Sequence, residues 1–323
     1  HDPVTGESLG LLIEESRTNV TRPSDFSSLW VYTTPGDGII QTAYGLAPDG
    51  STSSIYLQPN SAARVLRNTS GSGITAGTYT VSLFYKGDKP ISVAGPGANE
   101  GLTDVANYGN GWKRAASTLT FTGGGYLDIT VLSGTSVELW GIQAELGSFQ
   151  TSYVPTSGSA VSRAADAASI SGTNFTSWFN QSEGTFVGTV GSRGMLLLSS
   201  VSTGPNVYQD TTYGFYSNSE DYGGSFNLRY EDRSQVILSY MNVGWTSSIP
   251  MQNYAGAYSA EGVAGSWEGN LGTPQTPLSK PLQDDLSHMW IGRSHAFSDS
   301  KVQHIARLTY YPKRLPDIEL QQL

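Results

Sequence analysis

The chain has 323 residues, no cysteine and a formal net charge of -9, from 18 Lys and Arg against 27 Asp and Glu. That length exceeds what one hydrophobic core usually serves, so two domains are expected. Without cysteine there are no disulfides, thiol nucleophiles or thiolate zinc sites, and an acidic chain lacking a basic run argues against nucleic acid, whose phosphates need clustered Lys and Arg.

Aromatic residues are abundant (18 Tyr, 10 Phe, 7 Trp) beside 38 Gly, while charged residues make up only 14%. β-Branched and aromatic side chains suit a pleated surface and glycine suits tight turns, so an all-β protein is expected. No apolar run approaches the roughly 20 residues that cross a bilayer, so membrane insertion is not expected. The opening HDPVTGE reads as the interior of a longer polypeptide.

In chain order, residues 9–13 predict a short strand entering a polar turn, and Phe26, Trp30 and Tyr32 bring three aromatics into one short segment. Turn signals crowd residues 36–54, which read as loops. Residues 78–85 (TYTVSLFY) predict a strand with Tyr79, Val81, Leu83 and Tyr85 on one face and Thr78, Thr80, Ser82 and Phe84 on the other. A Gly/Asn-rich loop at 107–111 then delivers Trp112, Lys113 and Arg114 to a strand that includes Leu119 and Phe121. Three glycines at 123–125 make a turn, residues 126–131 alternate again, and 137–144 close the first domain. There Val137 and Leu139 take one phase and Trp140, Ile142 and Ala144 the other, so Gly141 predicts a bulge that switches faces. Phe149, Tyr153 and Pro155 are expected to hold down the polar connector that follows.

The second half repeats this grammar with strands at 184–190, 195–199, 226–230, 235–240, 254–259, 262–267, 288–293 and 302–311, and a hairpin tip at 267–270. Residues 316–323 are the only predicted helix, with Ile318 and Leu320 available to cap a sandwich. The expected architecture is two β-sandwich (jelly-roll) domains in tandem with a short C-terminal helix. The expected boundaries are a lead-in at 1–18, a first sandwich at 19–155, a linker at 156–170 and a second sandwich at 171–323.

Three stretches carry a family resemblance: GLLIEESRTN (10–19), ELWGIQAELGSFQTSYVPTSGSAVSRAAD (138–166) and IARLTYYPKRLPDIELQ (305–321). Together they resemble a cassette of phage tail-fibre, head-fibre and spike proteins, in which a carbohydrate-binding-module-like jelly roll precedes a concanavalin A-like, laminin-G-like sandwich. Its Gly-Trp-x-Arg element matches Gly111, Trp112 and Arg114, and its Asn-x-Ser-x-Gly-Thr element matches Asn180, Ser182, Gly184 and Thr185. Val20 and Pro316 depart from the pattern, as does the insert at 267–281. The resemblance implies a virion-surface protein, outside the cell, whose modules hold host surface glycans beside other virion proteins, commonly as a homotrimer.

Glycan binding needs flat aromatic faces for the C–H surfaces of sugar rings, with amides, carboxylates or arginines nearby for the hydroxyls. The candidates are Tyr32, Tyr56, Arg64, Tyr85 and Trp112 in the first domain, and Tyr216 and Tyr222 in an aromatic-rich stretch (Tyr213, Phe215, Tyr216, Tyr222, Tyr230) of the second. Trp112 and Trp140, inside family motifs, read more readily as structural than as ligand-facing, and the second-domain tyrosines suit subunit packing equally well. No cofactor is required. A structural Ca2+ is the one metal expectation, with Glu145 as its first candidate ligand. The carboxylate spacing of sandwich glycosidases, a Gly-x-Ser-x-Gly elbow and zinc-binding histidine spacings are all missing, which predicts a protein without catalysis. A structural decoration protein, or a depolymerase whose active region lies elsewhere, are the alternatives.

Overall fold

In the computed structural model the described residues are 5, 7–27, 30–32, 38–60, 64–68, 73–191, 196–199, 212–217, 224–229, 236–241, 251–274, 286–291 and 303–323. The protein is all-β. It divides into two compact units, one comprising His1–Glu7 and Ser16–Ala164, the other Ser8–Glu15 and Ala165–Leu323.

The first unit is a sandwich of two antiparallel sheets. Its six-stranded sheet runs in the order Thr103–Gly109, Trp112–Phe121, Gly77–Gly87, Val137–Leu146, Ile55–Pro59, Gly38–Gln41; the five-stranded sheet runs Trp30–Tyr32, Arg64–Asn68, Leu127–Val131, Ser92–Gly95, Ala98–Gly101. The alternation at 78–85 sets the central strand Gly77–Gly87, whose Tyr79, Val81, Leu83 and Tyr85 enter the core between the sheets. They meet Leu127, Ile129 and Val131 from the facing sheet, each such buried side chain contributing roughly 1.5–3 kcal/mol.

A bulge does occur in Val137–Leu146, where pairing with Gly77–Gly87 shifts between Trp140 and Gln143 and Gly141 adopts a φ of 62°. Its effect on phase differs from the sequence expectation. Val137, Leu139, Ile142 and Ala144 all point into the core, whereas Trp140 turns outward. The extra residue lets the strand keep one apolar face on both sides of the bulge.

Parts of two expected loops, 36–54 and 107–111, lie in strands. Gly38–Gln41 and Thr103–Gly109 are the two edges of the six-stranded sheet, and the turn between Thr103–Gly109 and Trp112–Phe121 narrows to Asn110 and Gly111, both at positive φ. The expected lead-in is also structured. Leu11–Ile13 is an edge strand of the second unit, paired with Gln303–Tyr311, and Arg17–Asn19 pairs with Val161–Arg163 in the first, so the expected linker at 156–170 contains a strand.

The second unit packs the sheet Leu11–Ile13, Gln303–Tyr311, Gly184–Gly191, Gln252–Ser259, Gly262–Trp267, Asn270–Leu271 with the sheet Ala168–Ser171, His288–Ile291, Leu196–Ser199, Thr212–Ser217, Gly224–Arg229, Val236–Met241. Phe175, Phe179, Phe186, Tyr258 and Met289 form its core. The predicted hairpin tip is a two-residue turn with Glu268 and Gly269 at positive φ between paired Trp267 and Asn270.

Among the described residues there are two short helices, Thr173–Thr176 and Asp317–Leu320, where one was expected. Leu320 is fully buried with Leu315 against Val187, Ala255, Ala257 and Ala264, while Ile318 is 63% exposed. Of the two residues expected to cap the sandwich, only Leu320 does so, because a single helical turn buries only one side. Among the described residues no helix is long and apolar enough to cross a membrane.

Candidate functional site

The outward face of the six-stranded sheet carries most of the polar and aromatic residues of interest in the first unit. Outward positions align across the strands by register. One row holds Gln41, Tyr56, Glu138, Lys86 and Trp112. The next holds Trp140, Phe84 and Arg114.

A loop folded back over part of this face, residues 43–54, is fixed at several points. The Trp112 indole N–H donates to the Leu46 carbonyl at 3.0 Å, and the Trp140 indole N–H donates to Ser53 Oγ at 2.9 Å. Ser54 Oγ donates to Glu138 Oε2 at 3.2 Å, and the same carboxylate holds Lys86 Nζ at 3.2 Å. The backbone N–H of Gly45 donates to Ser54 Oγ at 2.9 Å, and a Cβ at Gly45 would stand 2.8 Å from Glu138 Oε2. A side chain there would make the Glu138 carboxylate shift from its place beside Ser54 and Lys86.

The anchored loop presents Tyr44, which is 47% exposed, against half-buried Tyr56, with ring centroids 4.7 Å apart and planes 25° from parallel. The Tyr56 hydroxyl donates to Gln58 Oε1 at 3.2 Å. Leu46, 66% exposed, and exposed Gln41 belong to the same loop and row. Stacked tyrosines with amides, an ammonium and a carboxylate nearby have the composition of a sugar-binding platform.

Further along the face, the segment 147–156 forms a second cover. Glu145 is fully buried and accepts from the Thr151 N–H at 3.1 Å and from the Thr151 hydroxyl. Its carboxylate thus closes the turn at 147–151, and among the described residues no group of three or more His, Asp or Glu is placed to hold a metal ion. Gln143 accepts from the Val154 N–H at 2.6 Å. Tyr153 packs on Trp140 at 4.6 Å and shares a 2.5 Å hydrogen bond with Ser24. Burial first, with the charges of Asp25 and Asp49 adding to it, pushes the Tyr153 phenol up to about 12. Phe149 lies under the Arg17 guanidinium at 4.5 Å.

The sequence-derived candidates do not converge on one place. Tyr56 lies on the platform and Trp112 is buried beneath its loop. Tyr85 faces the opposite way, into the core, with its hydroxyl donating to both oxygens of Asp104 at 2.8 and 2.9 Å. Burial, then that hydrogen bond, drives the Tyr85 phenol well above its usual value. For Asp104 burial acts upward, but hydrogen bonds from Tyr85 and Lys89 and the charges of Lys89 and Lys113 outweigh it and hold the carboxyl below its ordinary value. Tyr32 and Arg64 stand on strands of the other, five-stranded sheet, and Tyr216 on Thr212–Ser217 of the second unit; the side chains of all three fall outside the described residues, as does Tyr222 altogether. Sequence reasoning missed Tyr44 and Lys86, and also the strand Ile55–Pro59, although the alternation of Ile55 and Leu57 with Tyr56 and Gln58 is a readable strand signal.

The fold and this surface define a two-unit β-sandwich protein with an aromatic platform on one sheet. No protein-family model matches the chain, and no curated protein matches it. Solved structures that it resembles include a native heptameric SAP-like pentraxin from Limulus polyphemus (10% identity, 44% of this chain and 75% of that one, TM-score 0.28). Others are the receptor binding domain of botulinum neurotoxin D (8%, 95% and 51%, TM-score 0.27) and domains LG4-5 of the mouse laminin alpha1 chain (9%, 90% and 96%, TM-score 0.25). The chain spans about half the length of the botulinum chain. At such TM-scores the fold is read from this chain's own sheet pairings.

Proposed function

We propose that the chain binds glycans without catalysis, through the outward face of the six-stranded sheet in its first unit. The observation that carries this reading is the Tyr44–Tyr56 stack, held at the surface by a loop that two indoles and the Glu138 carboxylate fix in place. A platform that is already ordered loses little freedom when a sugar docks on it. The resemblance at 10–19, 138–166 and 305–321 supports the finer reading: a phage fibre or spike subunit on the virion surface whose ligand is host surface polysaccharide. Several copies in an oligomer, a trimer by that resemblance, would turn weak single sites into firm attachment.

The test is binding of the whole chain to a glycan array and to host envelope fractions. Binding that weakens about tenfold in Tyr44→Ala and in Tyr56→Ala supports the reading, and failure to bind any glycan or fraction removes it. A second reading, subunit contact as the main task, is favoured by the edge strand Gly38–Gln41, which exposes both Ile39 (46%) and Ile40 (38%). Unpaired edges of that kind invite pairing with another chain. A mass measurement in solution, repeated with Ile39→Lys, tests it: an oligomer that dissociates in the variant supports it.

A further inference from the structure

The second row of the outward face contains a buried charge without a counter-charge among the described residues. Arg114 is only 4% exposed, and among the described residues it takes part in no ion pair. Its one hydrogen bond there runs from Nη2 to Ser82 Oγ at 2.8 Å; Nε has no partner, and the guanidinium lies 5.2 Å from the centre of the Phe84 ring. The carboxylate in the neighbouring row, Glu138, is committed to Lys86 and Ser54. A guanidinium removed from water without a counter-charge is a costly thing for a fold to keep. Its Nε–H is also an unused donor on a planar guanidinium, the group that pairs best with a carboxylate.

The surroundings fit a sugar acid. Phe84 meets half-buried Tyr108 at 4.9 Å and half-buried Tyr153 at 6.0 Å, both nearly edge-on, so two tyrosines flank the aromatic ring beside the guanidinium. Tyr153 feels the Arg114 charge directly, since that charge draws its phenol down against burial. By register Arg114 and Tyr56 stand three strands apart on the same face, a lateral separation of about 14 Å. One oligosaccharide, not one ring, would reach both.

We propose that Arg114 receives a carboxylate of the bound polysaccharide, so that the face selects glycans containing uronic acids. The proposal rests on the glycan-binding reading above and adds the chemical class of the ligand. With a net charge of -9 the chain as a whole does not draw polyanions, so selection is by this local contact and not by long-range attraction.

The test titrates the whole chain calorimetrically with oligogalacturonate, oligomannuronate and oligoglucuronate, each beside its carboxyl-reduced counterpart. At least one acidic form is expected to bind about tenfold more tightly than its neutral form, the usual scale for a charge-assisted hydrogen bond. Arg114→Gln is expected to remove that preference, so that the acidic and neutral forms bind alike. Arg114→Lys, which keeps the charge but not the fork, is expected to lose most of it. If Arg114→Gln does not fold, Arg114→Lys carries the assignment, and equal affinity of the acidic and neutral forms on the unaltered chain still overturns the proposal.

Equal affinity for every acidic and neutral pair overturns the proposal, as does an acid preference that survives in Arg114→Gln. Inorganic phosphate that competes as well as free galacturonate overturns the carboxylate assignment in favour of a general anion site. Neutral glycans that bind through Tyr44 and Tyr56 without acid preference leave the glycan-binding reading standing and this inference lost. No binding of any glycan defeats both.

Discussion

Tyr44 and Tyr56 lie ring on ring, 4.7 Å apart, although one comes from a loop and the other from a strand. The loop tyrosine stays there because the loop is fastened to the sheet beneath it. Replacing either ring by alanine is expected to weaken glycan binding by about tenfold. Stability should change by no more than about 0.5 kcal/mol, because neither ring belongs to a core. Calorimetric titration and thermal unfolding of the same variants separate the two effects.

Trp140→Phe keeps a ring against Tyr153 and Phe84 but removes the donor to Ser53 Oγ. A cost of about 1 kcal/mol is expected. Amide exchange within residues 43–54 should speed up while exchange in Gly77–Gly87 is unchanged. Unchanged loop exchange would mean that the indole does not anchor the loop.

Gly10 sits at φ +97° where a Cβ would land 2.1 Å from the Ile305 carbonyl oxygen. Gly10→Ala is therefore expected to pull Leu11–Ile13 from its pairing with Gln303–Tyr311, at a cost of about 2–4 kcal/mol in denaturant unfolding. Full wild-type stability would show that this edge strand contributes nothing.

Two phenols, Tyr153 and Tyr254, are pushed up to about 12, in both cases by burial first. A group whose folded pKa lies above its unfolded value, about 10 for tyrosine, binds its proton more tightly when folded. Its contribution is complete below pH ~10 and is lost as the pH climbs towards 12. Spectrophotometric titration should show these two phenols ionising after the exposed tyrosines, and Tyr153→Phe should lessen the alkaline loss of stability.

At the C-terminus, Leu320→Ala empties a fully buried position and is expected to cost about 2–5 kcal/mol. Ile318→Ala, two residues earlier and mostly exposed, should stay within about 0.5 kcal/mol. Thermal unfolding of the pair checks both.

These outcomes follow from what the sequence does and does not encode locally. Gly77–Gly87 was legible because each of its faces has one character, and the bulge at Gly141 because an apolar phase broke there. Thr103–Gly109 was not, since five of its seven residues are exposed and an edge strand needs no alternation. Tyr44 gave no signal at all: its role depends on Ser53, Ser54 and Leu46 meeting Trp140, Glu138 and Trp112, contacts between residues far apart in sequence. Arg114 was visible as part of a motif, but its burial arises only when loops cover the sheet. Tyr56 and Tyr85 take opposite directions because strand phase, and not residue type, sets which face a side chain joins.

The early strand Leu11–Ile13 belongs to the second unit although Arg17–Asn19 belongs to the first. The polypeptide therefore passes from one unit to the other at residues 7–8, 15–16 and 164–165. A protease that nicks the last passage leaves residues 165–323 held to the rest of the chain only by non-covalent contacts, among them the pairing of Leu11–Ile13 with Gln303–Tyr311. A recombinant fragment starting at Ala165 would lack its own outermost strand and bare the backbone of Gln303–Tyr311 to any passing chain. Whoever wishes to produce the second unit alone should carry residues 8–15 along with it.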